Sequence, residues 1–346
     1  MPLEVLFFGA GAIGAFYASR VARNANTNVS VVCRSNYSAV KANGFQITSS
    51  QYGDYTWTPT RTFDSPESAR KSGVTWDFVV VSTKALPNVS DDSKLLEGLV
   101  SDRTAIVLIQ NGLGVEQPYS ERFPRSTVLS AVTVASCAQP SNGHIKHNRW
   151  TRINVGPFFP DTNPAPAKDK ARATAQNQTF VDLLLSKDGG IKDAIADTHE
   201  KLQLVRWHKI AINASMNPSA VLSGGSTNEA MSNDPEISRH LKGVMDEVLT
   251  TAPKVVGTPF PAGFATPEQI LRSTRRNTSG SKPSMLLDWE AGKPMELEVI
   301  LGNPIRLARE KGYEMPRMQS LYALLKMAEK NREDRKQRDV NGASKL

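Results

Sequence analysis

The chain opens with an apolar run from Leu3 to Phe8, broken only by Glu4, that leads without a spacer into GAGAIG. A short, nearly continuous apolar stretch is what a strand needs when both of its faces are buried in a parallel sheet. Ala12 to Arg23 then reads as a helix and Asn28 to Cys33 as a second strand, which predicts a β-α-β unit. Gly9, Gly11 and Gly14 thus stand in the G-x-G-x-x-G pattern at a strand-to-helix turn, with Ala10, Ala12 and Ile13 filling the remaining places. Gly9 permits the tight turn and Gly11 lets backbone approach a pyrophosphate. Gly14 lets helix and strand pack closely, and the helix N-terminus offers N–H groups to phosphate. The pattern in this context predicts dinucleotide binding.

The second strand ends in Cys33, Arg34, Ser35, Asn36, without the carboxylate that would receive the ribose hydroxyls of NAD. A guanidinium at Arg34 suits a 2′-phosphate, so NADPH is the expected cofactor. Lys84, and Asn111 in the turn Gln110-Asn111-Gly112, follow further strands and fall at C-terminal strand edges, where such sheets bind ligands.

Further strands are expected at Phe78 to Ser82, Ala105 to Ile109 and Val128 to Val134, with shorter ones at His144 to Lys146 and Arg152 to Val155. The Pro- and Asn-rich Gly156 to Ala167 reads as loop, and Phe180 to Leu185 as part of a helix. From about Asp197 helical patterns dominate: Glu200 to Met216, Glu236 to Val256 and Glu298 to Lys311. The fold class is therefore an α/β Rossmann-type doubly wound domain followed by an all-α C-terminal domain. Its expected divisions are residues 1–196, 197–330 and a flexible tail, 331–346.

No apolar stretch is long enough for a membrane span, and no charged leader precedes the first strand. The net charge of +8 comes from scattered Lys and Arg, which points away from nucleic acid and toward an anionic small-molecule ligand. Cys33 and Cys137 are too few for a disulfide framework and lack metal-site spacing, so no metal is expected. The last residues, Ser344, Lys345 and Leu346, spell a peroxisomal import signal, which implies the import receptor as a partner and a peroxisomal location, with cytoplasmic as the alternative.

Within WHKIAINASMNPSAV, Lys209, Asn213 and Asn217 recur every four residues and share one helical face, flanked by Ile and Ala. Pro218 is expected to end or kink that helix at Asn217. Reduction of a carbonyl develops negative charge on oxygen, which an ammonium can stabilise and then protonate, so Lys209 is the candidate acid. The amides can bind substrate oxygens without adding charge. The alternative at this level is an ordinary buried helix whose lysine snorkels outward.

GAGAIG, CRSNY, STKAL, QNGLG, KIAINASMNP and KPSMLLDWEAGKPMELEVILG occur here in the order and spacing of the ketopantoate reductase (2-dehydropantoate 2-reductase) family, which the chain resembles from about Leu3 to Met327. The resemblance implies NADPH-dependent reduction of 2-dehydropantoate to (R)-pantoate, on the way to pantothenate and coenzyme A. It implies Lys209 as proton donor, with Glu296 near cofactor and substrate and ordering Lys209. Asn213, Asn217, Asn228 and Ser284 become substrate contacts, Asn228 being chosen over Thr227. Asn111 touches both ligands, Arg34 and Lys84 surround the adenosine phosphate, and Ser136 passes along the cofactor. A homodimer is compatible with it. Two alternatives stand beside it: a paralogous reductase of another 2-oxo acid, ketone or imine, and a non-catalytic NADPH sensor.

Overall fold

A computed structural model describes residues 1–160 and 167–343. It resolves into two compact units, one comprising Met1–Ala85, Ser90–Asn111 and Val115–Leu202, the other Leu86–Val89, Gly112–Gly114 and the chain from Gln203 onward.

The first unit is built on strands β1 (Leu3–Phe8), β2 (Thr27–Val32), β3 (Phe45–Ser49), β4 (Tyr55–Trp57), β5 (Thr62–Phe63), β6 (Phe78–Val81), β7 (Ala105–Leu108), β8 (Thr127–Ser141), β9 (His144–Pro157) and β10 (Ala194–Ala196). Its helices are α1 (Ala12–Val21), α2 (Tyr37–Asn43), α3 (Pro66–Lys71), α4 (Gln117–Arg122) and α5 (Ala167–Leu185). The strands form one sheet in the order β4-β3-β9-β8-β7-β6-β1-β2-β5, with β10 also on β9. From β8 to β5 every neighbouring pair is parallel. The chain order reverses at β1, which lies between β2 and β6, so the glycine turn emerges at the switch point where open sheets bind ligands.

The unbroken apolar runs are explained by two cores, one on each face. Val5, Phe7, Val29, Val31, Phe78 and Val80 pack with Phe16 and Tyr17 of α1 and Phe180 of α5. The alternate residues Leu6, Phe8, Val79, Val81, Ile106 and Leu108 pack with Trp76, Leu96 and Tyr119. Each strand therefore has no water-facing side to mark with polar residues.

The region after β7 departs from the sequence reading. Val128 to Val134 is the start of the much longer β8, and the two short strands expected after it are a single β9 paired antiparallel with β8. Register shifts at Ala135/Ser136, Ser136/Cys137 and Ala138/Ser141, together with a positive φ at Trp150, break the two-residue alternation by which a long strand is recognised. Gly156 and Pro157, expected in a loop, close β9, and Ala167 opens α5; Phe158, Phe159 and Pro160 are loop as expected, and 161–166 lie outside the described residues.

The chain then continues in helices α6 (His199–Leu222), α7 (Asn228–Asn233), α8 (Pro235–Val256), α9 (Pro267–Arg275), α10 (Ser284–Glu290), α11 (Asn303–Glu310) and α12 (Pro316–Ala343). The starts of α7, α8 and α9 carry side-chain caps from Thr227, Asp234 and Thr266. Helix α6 does not end at Asn217 but continues through Pro218 to Leu222, since proline's fixed φ suits a helix and Ser219, Ala220 and Val221 beyond it are buried. The helix expected from Glu298 to Lys311 is present, and it opens with a π-helical turn, Glu298–Gly302, that leads directly into α11. The tail expected to be flexible from 331 is helical through Ala343. There Arg332 donates to Trp289 O at 3.1 Å and Lys293 O at 2.9 Å and lies over the Trp289 ring, local partners that sequence spacing does not reveal. Ser344, Lys345 and Leu346 lie outside the described residues.

A Cβ added at Gly14 would collide with Gly9 O and Ser82 Oγ, so α1 reaches β1 and β6 only because that position is bare. Gly14→Ala is expected to destabilise the protein by about 1–3 kcal/mol, read as a lower urea midpoint with an unchanged slope.

Candidate active site

The candidate residues fall into two sets, each built within one unit apart from the strap that follows Asn111. In the first unit the glycine turn is strained where glycine tolerates strain: Gly9 has φ +98°, and a Cβ there would come within 2.9 Å of Thr83. Ser82, at the C-terminal end of β6, donates its hydroxyl to Gly9 O. Gly11 differs from its neighbours. The nearest atom to its absent Cβ is Gln139 Oε1 at 4.0 Å, which leaves an open side beside the unpaired first turn of α1. Bare where it must pack and open where a phosphate would come, the turn fits a dinucleotide.

Arg34 is exposed just past β2 in the turn that leads into α2. Lys84 is exposed beyond β6, and Asn111 is partly buried beyond β7. Ala10 is buried, while Ala12 and Ile13 begin α1 half-buried. Ser136 lies further along β8 at a register shift, where its Oγ accepts from Asn148 Nδ2 at 3.4 Å. The parallel strands thus deliver the turn and the two basic side chains to one edge of the sheet, and Ser136 lies on β8 of the β8–β9 hairpin.

In the second unit the α6 face exists as the spacing requires. Asn217 is buried with Nδ2 unpartnered, and Lys209 and Asn213 are partly buried between the buried Ile210, Ala211 and Ala214. Burial pushes the Lys209 ammonium down from its ordinary value to about 8. The Arg206 guanidinium pushes the same way, and the Glu296 carboxylate opposes both. Glu296 is itself buried, two residues before the π-helical turn. Asn228 begins α7 with its side-chain oxygen buried and unpartnered, and its N–H reaches Ser281 O at 3.3 Å. Thr227, the rejected alternative, is engaged in capping that helix. Ser284 opens α10 and is exposed; among the described residues it makes no hydrogen bond to the Lys209 face.

Sequence reasoning passed over Arg206 and the π-helical turn. Arg206 is buried and donates to Gly112 O at 2.8 Å. Leu113 N–H bonds Val299 O at 2.9 Å, and Asn303 Nδ2 bonds Leu113 O at 2.7 Å. A wider π turn leaves a carbonyl free for such a partner. A Cβ at Gly112 would collide with Val299. The available sequence signal was the glycine directly after Asn111, whose φ of +97° the strap requires. The strap following Asn111 is therefore anchored by the same helix that carries Lys209.

A doubly wound sheet with a glycine turn at its switch point, followed by a helical unit holding a lysine of lowered pKa, has the architecture of a Rossmann-type oxidoreductase. Residues 5–159 match the family model described as ketopantoate reductase PanE/ApbA, and residues 201–329 match its C-terminal model. The chain belongs to the ketopantoate reductase family, whose members are oxidoreductases. A solved 2-dehydropantoate 2-reductase from Methylococcus capsulatus is similar over 95% of this chain and 98% of its own, with 32% identity and a TM-score of 0.79. A 2-dehydropantoate 2-reductase of Nostoc sp. is 26% identical over 92% of both chains. An uncharacterized Saccharomyces cerevisiae protein, YDL144C, is 29% identical over 96% of this chain and 95% of its own.

With Lys209 as the acid, carbonyl reduction needs its ammonium form. The rate of reduction is expected to fall as pH rises through about 8, and the reverse oxidation to rise over the same interval. Glu296→Gln removes the charge that favours the ammonium and should move this limb to lower pH. Lys209→Ala should lower turnover by about 10² or more and abolish the limb. Initial rates across pH for the three proteins check all of this; a limb that persists in Lys209→Ala excludes this residue as the acid.

Proposed function

We propose that the chain reduces 2-dehydropantoate to (R)-pantoate with NADPH. The observation that carries the reading is Lys209: an ammonium held near neutrality on a helical face with two amides, next to a buried carboxylate. Bound NADPH supplies a hydride. Lys209 gives the proton from Nζ to the carbonyl oxygen as charge develops there, and water restores it afterwards. Glu296 holds the amine charged before transfer. Asn213, Asn217 and Asn228 bring amides to the substrate's oxygens, the unpartnered Nδ2 of Asn217 and Oδ1 of Asn228 being matched to an acceptor and a hydroxyl. Ser284, exposed at the start of α10, receives the carboxylate, and Asn111 meets both ligands.

On the dinucleotide side, Gly9 to Gly14 hold the pyrophosphate, Arg34 and Lys84 the adenosine phosphate, and Ser136 flanks the cofactor. The absence of a carboxylate after β2 and the exposed Arg34 support NADPH over NADH. Membership of the family and likeness to two 2-dehydropantoate 2-reductases support the substrate.

The purified protein, given NADPH and a panel of 2-oxo acids, should consume NADPH fastest with 2-dehydropantoate and yield pantoate. Turnover confined to another 2-oxo acid, ketone or imine would move the reaction to a paralogous reductase, and no turnover with any would leave a coenzyme-binding protein. Arg34→Ala should weaken NADPH more than NADH in direct binding measurements; equal weakening shows that Arg34 does not read the 2′-phosphate.

A further inference from the structure

Asn36 sits at the N-cap position of α2, yet its side chain caps nothing. It is 5% exposed, and its amide is spent elsewhere. Nδ2 donates to Ala10 O, inside the glycine turn, at 2.8 Å and to Gln139 Oε1 at 3.3 Å. Oδ1 accepts from Gln139 Nε2 at 2.7 Å and from the Gly143 N–H, in the turn between β8 and β9, at 3.2 Å. An asparagine amide offers two donors and an acceptor oxygen with two lone pairs, and all four are occupied.

The bond to Ala10 O has a directional consequence. In a trans peptide the N–H points opposite to the C=O, and no cis bond occurs among the described residues. With Ala10 O drawn toward Asn36, the Gly11 N–H is turned the other way, away from the Asn36 amide. A free N–H at that place is a phosphate donor. The same Asn36 is two residues from Arg34, so one buried amide fixes both the glycine turn and the turn that presents the guanidinium. Gln139 completes the pair from β8 and has its Oε1 4.0 Å from the position of a Gly11 Cβ.

We infer that the Asn36–Gln139 amide pair is a positioning device for a 2′-phosphorylated dinucleotide: it aims the Gly11 N–H at the pyrophosphate and holds the Arg34 turn in register with it. The inference rests on the proposed use of NADPH. Neither residue touches the coenzyme chemistry, and both act through their neighbours.

The test is a binding experiment on the full chain, with NADPH and NADH titrated separately into wild type, Asn36→Ala, Gln139→Ala and the double variant, each checked by thermal melting without ligand. Asn36→Ala should weaken both dinucleotides, NADPH by about tenfold or more and NADH by a smaller factor, because only NADPH also needs Arg34 in place. Gln139→Ala, at a partly exposed hairpin position that the fold tolerates more easily, should shift both in the same order but less. The double variant should be no weaker than Asn36→Ala, as expected for residues acting as one unit. A merely structural role would lower the melting temperature and leave the two dissociation constants in their wild-type ratio. The inference is overturned if NADPH binds Asn36→Ala within about threefold of wild type, if both dinucleotides weaken equally, or if NADPH weakens alone. Wild type that binds neither dinucleotide would instead remove the proposed function.

Discussion

The chemistry proposed for this fold rests on a charge placed where water is scarce. An ammonium brought from 10.5 to about 8 is disfavoured by about 3 kcal/mol in its charged form. That cost is present at neutral pH and fades as pH rises toward the ordinary lysine value. Three neighbours set its size: the apolar residues of α6 that desolvate Lys209, Arg206 that adds repulsion, and Glu296 that recovers part of it. A lysine at its ordinary value would be a reluctant proton donor at physiological pH, and one fully neutralised would have no proton to give. Burial first, then the Arg206 guanidinium, lower it, and the Glu296 carboxylate opposes both, which holds it between these limits.

What could be read from the sequence was what depends on local pattern. The β1–α1–β2 unit is legible because Leu3 to Phe8 is apolar on both faces, glycines follow where backbone must crowd, and helix and strand periods differ. The α6 face is legible because a helix repeats nearly every four residues. Features made by distant residues were not. The β8–β9 ribbon hides behind its register shifts, and the π turn depends on a carbonyl taken by Leu113. The helical continuation past 331 gains from Arg332 meeting Trp289 across the turn of the chain. Asn36 was visible beside Arg34, but nothing in its neighbourhood announces a partner at Gln139, over a hundred residues away.

The two units divide the work by the kind of group each supplies. The first contributes backbone donors at a strand end and exposed guanidinium and ammonium groups, suited to a large anion that comes and goes. The second contributes partly buried side chains with uncommitted amide atoms, suited to a small polar molecule enclosed on several sides. Membership of the ketopantoate reductase family joins these halves in one oxidoreductase.

The strap Gly112–Gly114 interrupts the sequence of the first unit but packs with Arg206, Val299 and Asn303 of the second. A gene fragment ending at Leu202 would strand Gly112–Gly114 without their anchors, and a fragment starting at Gln203 would take Leu113 from the π turn's carbonyl and Gly112 O from the Arg206 guanidinium. Neither unit is therefore one continuous stretch of the chain, and the strap and the helices that receive it form a single structural commitment spread across the sequence.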